Sequence, residues 1–474
     1  METLIEKTDV NKKDESFRDR ISTVDEKGKR KWIYPKYQSG KFHTFRQIFG
    51  YTLLLILFIT PFIKYDGEPL FLLDVIHRKF ILFGTVFYPQ DFFYFGLLMI
   101  TFVIFITLFT VVLGRLFCGW ACPQTIFMEL IYRKIEYLIE GDWKERMALD
   151  KQKMNFYKFW KKSFKHILFY AVAFIISNLF LSYLIGIDAL KKIATEPLSE
   201  HIAGFTTLIA FSLAFYGVFA FLREQVCTNI CPYGRMQGVL LGQDTLVIAY
   251  DYIRGEPRAK FKKNEDRKTS GKGDCIDCHQ CVNVCPTGID IRNGTQLECI
   301  NCALCIDACN FMMKSVGLPK GLIRYTTEYQ IQKNQPFKLT TRAKGYIVVL
   351  TILLGIIGLL MMKRAPVDGT ILRSYGYLTE TTNDGKIKNL YTYKLLNKSN
   401  HSKKVSIEMI KPKDAEIKII GHLPIIEKEG YIEGSFFVIM DKSLTKGMKT
   451  PIEIGVFDEN HKLIKKYKTN FLAF

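Results

Sequence analysis

Five apolar runs constrain this chain more than any other feature: Ile48 to Ile63, Phe92 to Gly114, Ile167 to Ile187, Ile202 to Leu222 and Gly345 to Met362. Each approaches the ~20 residues that a helix needs to cross ~30 Å of hydrocarbon. The second, third and fourth hold no charged residue; the first is short and contains Pro61, and the last carries Gly355 and Gly358. The first 44 residues are polar and lack the apolar core of a cleavable signal peptide. The expectation is a multi-pass membrane protein.

The net charge of +20 would otherwise suggest nucleic-acid binding, but the basic residues follow the helices. Twelve Lys or Arg precede the first run and eleven lie between Arg115 and Lys165. The loops between carry only Lys64, Arg78 and Lys79, and then Lys191 and Lys192. Such alternation places the N-terminus in the cytoplasm and the C-terminal part outside, with some attraction to anionic lipid. No nucleic-acid partner is expected. The segment from Pro69 to Pro89 is apolar but broken by Asp74, His77, Arg78 and Lys79. It reads as an exterior hairpin or an amphipathic stretch in the interface, with His77 on its polar face. At roughly 150 residues per domain, 474 residues allow about three units. A chain with 14% aromatic residues is not disordered.

All twelve cysteines lie between Cys118 and Cys309, in four tight groups. A secreted disulfide framework would spread them through the exterior domain, so the clustering points to metal ligation in a reducing compartment. After a basic linker, Arg254 to Lys272, the chain reads Cys275-x2-Cys278-x2-Cys281-x3-Cys285-Pro286 and then Cys299-x2-Cys302-x2-Cys305-x3-Cys309. Three thiolates at three-residue steps wrap one face of an iron–sulfur cube, and the fourth is carried by the next turn to the neighbouring cube. One [4Fe-4S] cluster is therefore expected on Cys275, Cys278, Cys281 and Cys309, and the other on Cys299, Cys302, Cys305 and Cys285. Zinc sites use two paired CxxC knuckles and do not need this doubled run. Asn310 replaces the second proline without removing a ligand, and His279 reads as a surface residue that tunes potential.

Two further groups close the second and fourth runs: Arg115-Leu-Phe-Cys118-Gly-Trp-Ala-Cys122-Pro123 and Arg223-Glu-Gln-Val-Cys227-Thr-Asn-Ile-Cys231-Pro232. Each is a Cys-x3-Cys-Pro after a basic residue, with Met128 or Met236 following as a packing residue, so the hairpin looks internally repeated. Cysteines at i and i+4 share one side of a helical turn, and two such turns bring four sulfurs toward one site. A soft metal or cluster, a redox-active dithiol and buried packing residues are the three readings open here. His166 and His201 lie at opposite membrane faces and are poor candidates for ligating a common haem.

After Arg364 the chain turns to short alternating segments: Leu390 to Leu395, Val405 to Met409, Glu416 to Ile420, Tyr431 to Ile439, Glu453 to Phe457 and Leu463 to Thr469. Their spacing suits an immunoglobulin-like sandwich with a further strand ahead of them. His401, His422 and His461 are expected to face solvent, and docking is the expected role.

The Cys118-Gly-Trp-Ala-Cys122-Pro123-Gln124 stretch, Thr287-Gly288-Ile289-Asp290-Ile291 within the insert, Pro89-Gln90-Asp91-Phe92 and the sandwich tail resemble the FixG/RdxA/CcoG family. These are accessory proteins of cbb-type cytochrome c oxidases. The resemblance implies a membrane polyferredoxin that supplies reduced copper during oxidase assembly, with the oxidase or its copper-handling factors as partners. Cys118, Cys122, Cys227 and Cys231 would then form the redox or copper site, fed through the two clusters by a cytoplasmic electron donor. Copper and a further cluster are both open as occupants. The Cys-x3-Cys-Pro pairs also look like those of quinol-linked nitrate-reductase membrane subunits. A quinol-linked respiratory subunit and a non-catalytic assembly scaffold or redox sensor are therefore the rival functions.

The expected architecture is a multi-domain inner-membrane protein. It comprises a cytoplasmic basic arm (1–44), a four-helix transmembrane region (45–253), a bacterial-type α+β ferredoxin domain (254–343), a fifth helix (344–364) and an extracytoplasmic all-β sandwich (365–474).

Overall fold

The computed structural model describes residues 23–473 except 25, 26, 28, 76–78, 89, 90, 198, 200, 264, 268, 375, 377, 378, 383, 422–424, 429 and 446. His77, Arg78, Pro89, Gln90, His422 and the basic residues from Lys7 to Arg20 lie outside the described residues. Two compact units result: Met1–Thr60 with Leu98–Ser182 and Ile187–Leu354, and Pro61–Leu97 with Tyr183–Gly186 and Gly355–Phe474.

Five helices among the described residues are long and apolar enough to cross a membrane. They are α1 (Lys41–Ile59), α2 (Phe92–Leu113), α3 (Phe156–Ile185), α4 (Ile202–Leu222) and α5 (Thr341–Met362). α1, α3 and α5 begin ahead of their apolar runs, because Lys and Arg can continue a helix while their charged heads reach polar surroundings. α2 stops where Gly114 takes φ +58°, and α4 where Arg223 takes φ +52°.

The first unit is built on buried polar groups as much as on apolar ones. Strand Val247–Tyr250 pairs antiparallel with Ile323–Thr326 beside the cysteine insert, so a strand ahead of residue 254 belongs to this fold. Ile248, Ile276, Ile289, Ile306, Met313 and Leu322 form its core. The free N–H groups at the start of α1 find a cap in Asp307, whose carboxylate accepts from Phe42 N at 3.3 Å and His43 N at 2.8 Å. A second core gathers Phe127, Met128, Tyr132, Phe169 and Phe219, with Tyr132 stacked on Phe219 at 4.6 Å. The described end of the basic arm is folded onto this unit: Lys36 N donates to Asn283 O at 2.8 Å, and Tyr34 OH donates to Asp150 at 2.5 Å.

The second unit holds the sandwich. Its strands are β1 (Val367–Arg373), β2 (Ile387–Asn397), β3 (Val405–Lys411), β4 (Glu416–Ile419), β5 (Tyr431–Met440), β6 (Lys449–Asp458) and β7 (Leu463–Leu472). The six expected strands are present, and β1 is the strand ahead of them. One sheet runs β4–β5–β2–β1 and the other β3–β6–β7, the strand order of a constant-type immunoglobulin domain. Alternate residues of β2 point inward, Tyr391, Tyr393 and Leu395 among them, as a half-buried strand requires. His401 and His461 are exposed, as expected. In the same unit the Pro69 to Pro89 stretch forms three short antiparallel strands, Phe71–Asp74, Lys79–Leu82 and Thr85–Phe87. Asp91 is buried and paired with Lys398 at 2.7 Å and Arg364 at 2.7 Å.

Candidate redox site

Both cysteine runs of the insert follow one backbone path. Asp277 and His279 take φ +53° and +55°, and the equivalent Asn301 and Ala303 take +53° and +65°. Two left-handed residues in each run curl the chain so that successive cysteines return to one side before the helices Gln280–Asn283 and Leu304–Ser315 begin. The fourth cysteine of each run lies with the other run. Cys309 is within electrostatic reach of Cys275 and Cys278, and Cys281 of Cys309 and Cys278. Cys285 is likewise within reach of Cys299, Cys302 and Cys305. A small cavity is lined by Cys281, Cys285, Cys299, Cys302 and Cys305.

Burial pushes these thiols up: Cys302 to about 11, Cys299 and Cys309 to about 12, with Cys281 and Cys305 also raised. A buried thiol of this kind stays neutral until a metal holds it as thiolate. Among the described residues, no three His, Cys, Asp or Glu side chains close on a single metal ion. Two sets of soft donors enclosed by apolar side chains fit iron–sulfur cubes. His279 is more than half exposed and bonds to Arg292 at 2.9 Å, which keeps it on the surface.

The membrane-edge cysteines differ from expectation in local form. Cys118 lies in a short helix, Leu116–Trp120, whereas Cys122 is extended ahead of helix Pro123–Phe127. Cys227 lies in a wide helical turn, Val226–Ile230, and Cys231 is extended ahead of helix Pro232–Leu240. A residue before proline is driven out of the helical region, so each turn ends at its second cysteine, whose N–H still bonds back five residues, Cys122 N to Phe117 O at 2.9 Å and Cys231 N to Val226 O at 2.8 Å. The repeat is nevertheless present in the backbone, and the four sulfurs are brought together. Cys122, Cys118 and Cys231 all lie within electrostatic reach of Cys227. Burial raises Cys118 and Cys122, and raises Cys227 to about 12. Met128 packs in the core, but Met236 is exposed, so the packing expected of both holds only for Met128.

Polar contacts tie the two hairpins together. Arg115 Nε donates to Gln237 Oε1 at 2.6 Å and its Nη2 to Gly234 O at 2.8 Å, while Cys118 Sγ donates to Gln237 Oε1 at 3.4 Å. Gln124 Nε2 donates to Arg223 O at 3.2 Å. Gly234 admits no side chain, since a Cβ there would stand 2.5 Å from Cys227 O.

This edge rests directly on the insert. A Cβ on Gly119 would stand 2.3 Å from Ile300 O, so only glycine lets the Cys118 turn approach the backbone between Cys299 and Cys302. Trp120 Nε1 donates to Asn301 O at 3.1 Å, as does Tyr325 OH at 2.8 Å. Cys118 shares one buried cluster with Val284, Ile300, Cys302, Leu304 and Ala308.

Charges buried beside the site escaped the sequence reading. Arg223 makes a two-pronged bond to Glu136 at 2.7 and 2.9 Å, with Arg146 at 3.0 Å from the same carboxylate. Burial alone would raise the Glu136 carboxyl, yet Arg223, Lys165 and Arg146 hold it at about 2. Arg115 and Arg223 had read only as topology signals. Their equivalent places ahead of the two cysteine pairs were the available clue.

Comparison with known proteins agrees with this geometry. A 4Fe-4S dicluster domain matches residues 222–328, a 4Fe-4S binding domain matches 95–144, and the IG-like fold at the C-terminus of FixG matches 357–473. Protein RdxB of Cereibacter sphaeroides is 34% identical over 83% of this chain and 85% of its own length. The chain belongs to the FixG/RdxA family. Protein RdxA of the same organism is 33% identical over 78% of this chain and 81% of its own. Nitrogen fixation protein FixG of Rhizobium meliloti is 34% identical over 63% of this chain and 58% of its own. As a FixG/RdxA member with five membrane-length helices, the chain is a membrane-associated iron–sulfur electron-transfer protein. Cys118 and Cys122 fall inside the second matched region, and Cys227 and Cys231 inside the first.

Proposed function

We propose that this protein carries electrons from a cytoplasmic donor through its ferredoxin insert to the Cys118, Cys122, Cys227, Cys231 site. There copper(II) takes one electron and becomes copper(I) for assembly of a cbb-type cytochrome c oxidase. The observation that carries the reading is the Gly119 approach, which seats the membrane-edge turn on the Cys299–Cys302 backbone. Four-iron clusters, held by Cys275, Cys278, Cys281 and Cys309 and by Cys299, Cys302, Cys305 and Cys285, supply one-electron storage when bound. The chain itself supplies proximity, through Gly119 and Trp120, and a water-poor wall of Val284, Ile300 and Leu304. Soft sulfur ligands at the edge favour copper(I) over copper(II). The Lys/Arg-rich side, with the insert, faces the cytoplasm across the inner membrane, and the sandwich outside docks the oxidase or its copper-handling factors.

A variant carrying Cys118→Ser and Cys122→Ser tests this. Copper(II) reduction by protein whose clusters have been pre-reduced and then freed of excess reductant should vanish while the insert's paramagnetic signals persist; unchanged reduction excludes the site. Gly119→Ala should slow copper reduction by about tenfold or more at full metal content, because the turn must back away from Ile300.

A second reading is favoured by the 4Fe-4S binding domain match over 95–144: the four edge cysteines hold a third cluster. About twelve irons per chain in anaerobically purified protein would establish it, whereas about eight irons with copper would favour a copper site.

A further inference from the structure

Arg115 and Arg223 occupy equivalent places in the repeated hairpin, and both are buried, at 4% and 5% exposed. Their charges are handled differently. Arg223 is neutralised by Glu136. Arg115 has no carboxylate within ion-pair distance among the described residues; its bonds go to the neutral Gln237 side chain and the Gly234 carbonyl. A lone buried cation is costly, so its place in the fold calls for an anion nearby. The anions available are sulfurs, once a metal holds them as thiolates. Gln237 Oε1 bridges Arg115 to Cys118 Sγ, and the Gly234 site that receives Arg115 Nη2 lies against Cys227 O. The second centre borders the same stretch: a Cβ on the neighbouring Gly114 would stand 3.2 Å from Asn301 Nδ2, and Cys118 packs in one cluster with Cys302.

We infer that Arg115 is the shared counter-charge of two redox centres, the membrane-edge site and the one on Cys285, Cys299, Cys302 and Cys305, and sets their reduction potentials while positioning Cys118 through Gln237. Reduction adds one negative charge to a centre. A fixed, buried cation nearby stabilises the reduced form more than the oxidised one, and weak screening in the interior preserves the effect. Arg115 is thus a positioning and tuning residue that touches neither electron donor nor acceptor. A cation between the two sites raises both potentials together and keeps them matched for transfer.

The inference rests on the reading of these cysteines as redox-centre ligands, and the experiment separates the two. The full chain, purified without oxygen, is titrated electrochemically while its paramagnetic signals are followed. Arg115→Gln should lower the reduced-to-oxidised ratio at fixed poise about tenfold, which is about 59 mV for a one-electron couple. Arg115→Lys should restore most of the shift. Gln237→Glu keeps the packing and places a carboxylate against Arg115, so it should shift the centres in the same direction. If Arg115→Gln loses iron, Gln237→Glu decides alone. Wild-type potentials in iron-replete Gln237→Glu, or in iron-replete Arg115→Gln, would overturn the inference. A wild-type chain without any iron–sulfur signal would instead defeat the parent reading and this one with it.

Discussion

The sandwich fills its interior with apolar side chains, whereas the cysteine-bearing unit adds buried charges and thiols to its apolar cores. Inside the sandwich lie Tyr391, Phe436, Val438, Ile452, Ile454 and Phe471, all almost wholly buried, with no cysteine anywhere in that part of the chain. Removing such surfaces from water is favourable in itself, at ~25 cal/mol per Å². The other unit buries Arg115, Arg133, Glu136, Arg146, Arg223 and a set of cysteines. Charges and thiols lose hydration on burial, so each needs a partner: a carboxylate for Arg223, a metal for the cysteines. One fold is therefore self-sufficient, and the other depends on what it binds.

The largest effect that could break this contrast is removal of iron. Oxidative loss of the clusters should abolish amide-exchange protection across Val247 to Thr326, because metal-binding energy there is folding energy. Exchange within β1 to β7 should stay as it was; an equal rise in the sandwich would end the distinction. A smaller effect comes from the opposite direction. Phe436 stacks on Tyr391 at 5.7 Å, and Phe436→Ala should cost the sandwich about 3–5 kcal/mol, read as a lower unfolding temperature at unchanged iron content.

The smallest effect concerns acid. Glu136 is held at about 2, below its ordinary 4.5. A carboxyl depressed by folding contributes stability in full above about pH 4.5, and that contribution is lost as pH falls from 4.5 toward 2. The loss should be on the order of 2 kcal/mol, visible as a falling melting temperature of the membrane-edge helices. Glu136→Gln should flatten that slope. A slope equal to wild type would show that Arg223 is neutralised elsewhere.

Much of the organisation was legible in local pattern. Apolar runs yield spanning helices because length and hydrocarbon thickness must match. Alternation in Tyr431 to Ile439 yields β5 because a strand's side chains alternate faces. The doubled cysteine spacing points to two quartets in the insert, since a fourth ligand displaced by a turn can be shared. Other features left no such trace. Nothing in the composition of the basic arm shows that Lys36 bonds Asn283, or that Asp307 caps α1. The expected i, i+4 geometry at Cys118 and Cys122 overlooked only that the turn is wide and that Pro123 ends it at Cys122.

From its residue order alone, this chain determines where it crosses a bilayer, which cysteines can act in groups, and that its tail is a sandwich. Those properties depend on spacing along one segment, and spacing is written in the sequence. Folding in three dimensions decides that the Gly119 turn meets Ile300, that Arg223 finds Glu136, and that Arg115 finds no carboxylate among the described residues. Each of these joins residues far apart in the chain, and whether a buried charge is paired depends on packing between segments rather than on the pattern within any one of them.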